Sequence, residues 1–139
     1  MSETIPDVPP QEVWQALKSD PNAKLVDVRT TPEWNFVGVP DLKELGKAPV
    51  KIEWQVYPSM SVNSDFLHKL KLEEVEPGDK VYFLCRSGVR SLAAAKLAKE
   101  NGYGQVFNIA DGFEGPKDAD GHRGAVAGWK QSGLPWSQG

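Results

Sequence analysis

The sequence predicts an α/β fold with a parallel central sheet, and three observations lead to that prediction. Short apolar, β-prone runs alternate along the chain with helix-forming segments, which is the order that builds parallel sheets. Residues 81–84 form a continuous apolar run, as expected of a strand that is buried on both faces. The alanine-rich segment 91–99 comes soon after and is a strong helix former.

The remaining elements follow from local patterns. Residues 1–10, with three prolines, are predicted to be an extended lead-in, and residues 11–139 to form one domain. A first helix is expected from Pro10 and ends before Pro21. The other predicted elements are strands at 23–28 and 105–109, a half-exposed edge strand at 50–56, helix starts at 31–33 and 63–65, and a turn at 77–79.

Composition and charge exclude several classes of protein. The chain has 139 residues, 16 of them basic and 19 acidic, and a formal net charge of -3, which argues against nucleic acid or an anionic membrane as a partner. No apolar run approaches the roughly 18 residues of a membrane span and no secretory leader is visible, so a cytoplasmic protein is expected. The single cysteine, Cys85, excludes an internal disulfide. No cofactor and no metal site are predicted.

The residues after the central strand predict a reactive thiol. The loop between this strand and the alanine-rich helix is Cys85-Arg86-Ser87-Gly88-Val89-Arg90. Its backbone N–H groups are expected to curl around the cysteine sulfur, with the positive end of the helix dipole behind them. A buried cysteine at a strand end is most often inert, but an inert residue needs neither two nearby arginines nor a glycine that can adopt φ > 0. The loop therefore predicts a thiol that ionises easily.

Three stretches of the chain resemble the rhodanese family of sulfurtransferases. The loop from Cys85 to Arg90 is similar to that family's C-R-x-G-x-R active-site loop. Residues 25–34 are similar to its D-V-R-x-x-x-E-aromatic element, and residues 128–135 to its G-W…G-L-P ending, whereas residues 38–49 do not match its usual segment. The resemblance implies a rhodanese-like fold with a parallel sheet of about five strands and helices on both faces.

The same resemblance implies ping-pong transfer of a sulfane sulfur through a Cys85 persulfide. The sulfur would come from a small anion, thiosulfate or a persulfide, and would pass to a thiol or to cyanide. Loop N–H groups from Arg86 to Arg90 would hold the persulfide charge, and Arg86 would meet the donor anion. A sulfur-relay or binding module, loaded by a partner protein, is an alternative from another functional class.

A cysteine-dependent phosphatase is the rival enzyme for this loop. Such phosphatases have five residues between Cys and Arg, whereas four residues separate Cys85 from Arg90. The smaller ring of N–H groups suits one sulfur atom better than a tetrahedral phosphate. Leu84 also stands where tyrosine phosphatases usually carry a histidine.

Two charged residues at the end of the strand predicted at 23–28 are expected to support the loop. Asp27 lies in an apolar run, where an unpaired carboxylate would be costly, so it should reach Arg90 or the N–H groups of the loop. Arg29 and Glu33 are four residues apart and form either a surface pair or part of the site wall. The polar stretch 116–124 is predicted to be a surface loop, from which His122 and Arg123 could overhang the site.

Overall fold

The structure is a computed structural model that describes residues 5–56, 59, 61–86, 88–115, 119 and 128–137. The helices are α1 (Pro10–Ser19), α2 (Thr31–Phe36), α3 (Phe66–Leu72) and α4 (Val89–Glu100). The strands are β1 (Asp7–Val8), β2 (Ala23–Asp27), β3 (Val39–Pro40), β4 (Val50–Lys51), β5 (Gln55–Val56), β6 (Ser61–Val62), β7 (Lys80–Leu84), β8 (Gln105–Ile109) and β9 (Trp136–Ser137).

The central sheet has five parallel strands in the order β1-β8-β7-β2-β4, which confirms the predicted α/β fold. The apolar run predicted as a buried strand is β7, at the centre of this sheet. From β2 the chain goes on to β4 on one side, whereas from β7 it goes on to β8 on the other. Ligands of open parallel sheets bind where the strand order reverses in this way, at the carboxyl edge. Cys85 directly follows β7 at that edge.

Helices cover both faces of the sheet because β7 has apolar side chains on each. Val81 and Phe83 belong to the core cluster that includes buried residues of α3 and α4. Tyr82 and Leu84 belong to the cluster on the other face, with residues of α1 and with Trp129. Alternate residues of a strand point to opposite faces, so Cys85 continues the α4 face, where it is buried.

Three local predictions differ from the structure. The single strand expected at 50–56 is two short strands, because β4 pairs with β2 at the sheet edge while β5 forms a separate antiparallel hairpin with β6. Part of the expected lead-in, Asp7–Val8, is the edge strand β1 on the opposite side. The helix α2, whose start was expected within 31–33, has its N-cap one residue before that range, at Thr30. The unmatched segment 38–49 contains β3, which pairs with β9.

Among the helices of the described residues, none combines the length and the apolar character needed to cross a bilayer. The predicted surface loop 116–124, with His122 and Arg123, lies outside the described residues except for Ala119.

Candidate active site

Cys85 lies at the base of a tight turn between β7 and α4. Its side chain is buried, and the backbone N–H of Gly88 donates a hydrogen bond to Sγ at 3.0 Å. Gly88 has φ of 111°, a conformation that L side chains rarely adopt, so glycine is needed for the chain to turn back over the sulfur. The first turn of α4 follows at once and adds the positive end of its dipole. The sulfur thus lies where negative charge is stabilised.

The other loop residues differ in exposure. Arg86 is exposed, and no hydrogen bond or ion pair engages its side chain among the described residues. Val89 begins α4 and is 77% exposed. Ser87 lies outside the described residues. The Cys85 loop, residues 85–90, therefore combines a buried sulfur with one exposed cationic side chain, Arg86.

Arg90 ties the start of α4 to α2 through Glu33. Arg90 Nη1 donates to Glu33 Oε1 at 2.7 Å and Nη2 donates to Oε2 at 2.9 Å, a two-pronged ion pair. Glu33 Oε1 also accepts from the Thr30 backbone N–H and hydroxyl. Burial opposes ionisation of Glu33, but the Arg90 guanidinium and the Thr30 donors outweigh it and lower the pKa of this carboxyl below its usual 4.5. Glu33 is thus a charged part of the site wall.

The prediction that Asp27 reaches Arg90 or the loop N–H groups is wrong, because Asp27 is paired with Arg29. Arg29 Nε donates to Asp27 Oδ1 at 2.9 Å and Nη2 donates to Oδ2 at 2.6 Å, and both side chains are fully buried. The Arg29 backbone N–H occupies Oδ1 as well. Arg90 therefore pairs with Glu33 instead. The expected contact between Arg29 and Glu33 does not form either, because Arg29 Nη2 donates its other hydrogen bond to the Gly38 carbonyl.

The segment 112–115 forms backbone hydrogen bonds with the first two residues of the Cys85 loop. In residues 112–115, the backbone N–H of Phe113 donates to the Cys85 carbonyl at 2.8 Å, and those of Glu114 and Gly115 donate to the Arg86 carbonyl. Gly112 has φ of 63°, and a Cβ there would lie 2.7 Å from the Arg86 carbonyl carbon. The Arg29 guanidinium stacks on the Phe113 ring at 4.3 Å. The buried Asp27–Arg29 pair thus contacts the loop indirectly, through the 112–115 segment.

Comparison with known proteins decides the family. The family model described as the STR4 middle domain, a rhodanese-like family, matches residues 8–139. The chain belongs to this family.

Two relatives and one solved structure illustrate this rhodanese-like membership. The crystal structure of Rv0390 from M. tuberculosis has 46% sequence identity and a TM-score of 0.87, and the match covers 99% of this chain and 100% of that one. The chloroplastic rhodanese-like domain-containing protein 4 of Arabidopsis thaliana is 34% identical over 91% of this chain and 24% of its own length. The thiosulfate sulfurtransferase GlpE of Actinobacillus pleuropneumoniae is 24% identical over 97% of this chain and 95% of that protein.

Two residues of this rhodanese-like site, Ser91 and Asn108, are not among those predicted from the sequence. Glu33 is predicted as part of a surface pair or of the site wall, but with Arg29 as its partner, whereas the structure pairs it with Arg90 across the fold. Ser91 was treated only as helix, although it lies in the first turn of α4 and is fully buried. Asn108 was treated only as strand. The polar side chain of Asn108 in the apolar run 106–109 indicates a buried group that needs hydrogen-bond partners, by the same reasoning that applies to Asp27.

The Arg90 ion pair predicts a pH-dependent loss of stability. Arg90→Lys keeps the charge but loses the two-pronged geometry, so the free energy of unfolding should fall by about 1 to 3 kcal/mol at neutral pH. Because the pKa of Glu33 is lowered in the folded protein, its contribution is complete above the ordinary carboxyl value of 4.5 and is lost as pH falls through the lowered pKa. Urea unfolding of both proteins at neutral and acidic pH measures this difference.

Arg86→Lys is the matched control for that measurement, because Arg86 is exposed and should tolerate the change without loss of stability. A difference between wild type and Arg90→Lys that persists unchanged in acid would show that Glu33 is not the partner that matters.

Proposed function

We propose that this rhodanese-like domain is a sulfurtransferase that moves a sulfane sulfur through a persulfide on Cys85. The observation that supports this most directly is the position of Cys85 Sγ, which is 3.0 Å from the Gly88 N–H at the start of α4. The relatives named as thiosulfate sulfurtransferases support the same reaction class.

In the first half-reaction, the Cys85 thiolate attacks the outer sulfur of the donor. With thiosulfate, a bond forms between Sγ and the outer sulfur while the sulfur–sulfur bond of thiosulfate breaks, and its electron pair leaves with sulfite. Sulfite is a good leaving group, so the reaction requires no general acid. The exposed Arg86 guanidinium would attract the anionic donor to the rim of the Cys85 loop.

In the second half-reaction, an acceptor nucleophile takes the outer sulfur. A thiolate or cyanide bonds to that sulfur, the bond to Sγ breaks, and its electron pair returns to Cys85 as a thiolate. The Gly88 N–H would stabilise charge on the sulfur in both steps. Arg90 would act on the shape of the loop through Glu33 rather than on the donor. Thiosulfate or a protein persulfide as donor, and a cellular thiol as acceptor, are the partners we propose.

Mass spectrometry tests this function. The protein incubated with thiosulfate is expected to gain the mass of one sulfur atom under non-reducing conditions, and to lose it on addition of cyanide with release of thiocyanate. A gain from a persulfide donor alone would identify a relay module loaded by a partner. A protein that gains sulfur from neither donor would contradict the proposal.

A further inference from the structure

A row of hydrogen-bonded polar groups, buried where it contacts Cys85, joins this residue to the edge strand β1, and the proposed function leaves it unexplained. Ser91 Oγ lies 3.3 Å from Cys85 Sγ and within hydrogen-bond distance of Asn108 Oδ1. Asn108 Nδ2 donates to Asp7 Oδ1 at 2.9 Å and to the Gly88 carbonyl at 3.1 Å. Ser91 is fully buried and Asn108 is 5% exposed. Ser91 and Asn108 are therefore shielded from water, whereas Asp7, at the outer end of this row of polar groups, is exposed.

The partners of Asn108 fix the orientation of its amide. The Asp7 carboxylate and the Gly88 carbonyl can only accept hydrogen bonds, so the amide nitrogen must face them and Oδ1 must face Ser91. Asp7 and Asn108 are register partners in adjacent parallel strands, which puts their side chains on the same face of the sheet. Among the described residues, the Gly88 N–H and the Ser91 hydroxyl lie within hydrogen-bond distance of the sulfur. Asn108 bonds the carbonyl of the first residue and the hydroxyl of the second, so it helps to position both.

The Ser91 hydroxyl has one hydrogen and two acceptors within reach. While the sulfur is uncharged, the Asn108 amide oxygen is the stronger acceptor. A thiolate reverses that preference, because hydrogen bonds to an ionised acceptor are roughly twice as strong as neutral ones. Rotation of the hydroxyl moves its hydrogen from the amide to the sulfur. Ser91 can therefore donate to Cys85 at the moment when the sulfur gains charge.

We propose, on the basis of the sulfurtransferase function, that Ser91 is a second catalytic residue and that Asn108 is its positioning residue. When cyanide attacks the persulfide, a bond forms between its carbon and the outer sulfur, the sulfur–sulfur bond breaks, and the electron pair stays on Cys85 Sγ. The Ser91 hydroxyl then donates to the departing thiolate. In the loading step the thiolate is the reactant, so the same hydrogen bond does not accelerate it. Discharge therefore depends on Ser91 and loading does not.

Single-turnover kinetics of Ser91→Ala test this asymmetry. Discharge of the preloaded persulfide by cyanide is expected to slow about ten- to a hundredfold, since the lost hydrogen bond is one to a charged group. Loading by thiosulfate is expected to change less than about threefold. The ratio of the two rates, measured on one sample, does not depend on the folded fraction. Ser19→Ala is the matched control, because that hydroxyl bonds the exposed Gln15 carbonyl in α1.

A double-mutant cycle tests the role of Asn108. Asn108→Ala should also slow discharge. The Ser91→Ala, Asn108→Ala double variant should be faster than the product of the two single effects predicts, because both changes remove the contribution of the Ser91 hydroxyl. Asn101→Ala, at an amide that bonds the Leu97 carbonyl on the surface of the chain, should leave discharge unchanged. Fully independent effects would show that Asn108 does not act through Ser91.

The two proposals fail in different ways. If the wild-type protein transfers sulfur and the Ser91→Ala variant discharges its persulfide at the same rate as the wild type, this inference is wrong. The proposed sulfurtransferase function is unaffected by that result. A wild-type protein that takes up no sulfur from either donor would overturn the proposed function and this inference with it.

Discussion

Cys85→Ser is expected to abolish sulfur transfer and to leave the fold intact. A serine hydroxyl does not ionise at neutral pH and cannot form the sulfur–sulfur bond of a persulfide, so transfer from thiosulfate to cyanide should fall at least about a thousandfold. The substitution replaces the sulfur atom with a smaller oxygen atom in a buried position. The neighbouring Gly88 N–H and Ser91 hydroxyl can form hydrogen bonds with the oxygen as they do with the sulfur. The free energy of unfolding should therefore change by about 1 kcal/mol or less.

Two measurements together check this result. Thiocyanate release gives the activity, and urea unfolding shows whether the variant is folded. Because the chain has no second cysteine, no other thiol can carry the sulfur in the variant. Transfer retained by a folded Cys85→Ser protein would exclude Cys85 as the sulfur carrier.

A glycine inserted between Gly88 and Val89 is expected to slow sulfur transfer about ten- to a thousandfold. The insertion gives the loop the five-residue spacing of cysteine-dependent phosphatases and separates the Gly88 turn from the first turn of α4. Electrostatic stabilisation requires donors within about 2.7 to 3.1 Å of the charge, and the Gly88 N–H now lies 3.0 Å from Sγ. The structure adds a reason for a large effect: the 112–115 segment holds Cys85 and Arg86 from behind, so the extra residue can only displace Gly88 and α4.

The matched control is a glycine inserted between Gly46 and Lys47, in an exposed turn where no atom lies near the position of a Cβ at Gly46. This variant should keep the wild-type rate, as measured by thiocyanate release with both proteins at the same folded concentration. If the Gly88 insertion leaves transfer unchanged, or if the wild-type protein already hydrolyses aryl phosphates efficiently, loop length is not what selects sulfur over phosphate.

The sequence was sufficient for the sheet and for the position of the Cys85 loop. The apolar run of β7, the alanine-rich α4 and the glycine at position 88 each indicate a local conformation, and parallel strands place the ends of β2 and β7 at one edge. The pairing of charges could not be predicted in the same way. Asp27 had more than one cation within plausible reach, and only the geometry of the backbone shows that Arg29 satisfies both its oxygens and leaves Arg90 to Glu33.

The two-residue strands could not be predicted from local sequence patterns either. The alternation of residues 50–56 fits one edge strand, yet the chain leaves β2 after the Trp54 N–H has bonded the Val28 carbonyl and then forms the β5–β6 hairpin. The alternation records which side chains are half-buried and not which strand they pair with. Likewise, the prolines of the lead-in do not indicate that Asp7 belongs to a strand and is the register partner of Asn108 in the neighbouring strand.

The contacts of the 112–115 segment mean that the reactive loop is a product of the whole fold, although its residues are contiguous. The carbonyls of Cys85 and Arg86 are bonded by N–H groups that come after α4 and β8 in the chain, and Arg90 and Asn108 have partners 57 and 101 residues away. During synthesis, the cysteine is therefore added to the chain before the segment that orients it. A peptide of residues 80–100 would contain the sulfur and the Gly88 turn but not the groups that hold them, so the chemistry of this thiol is acquired only when the last part of the sheet has docked.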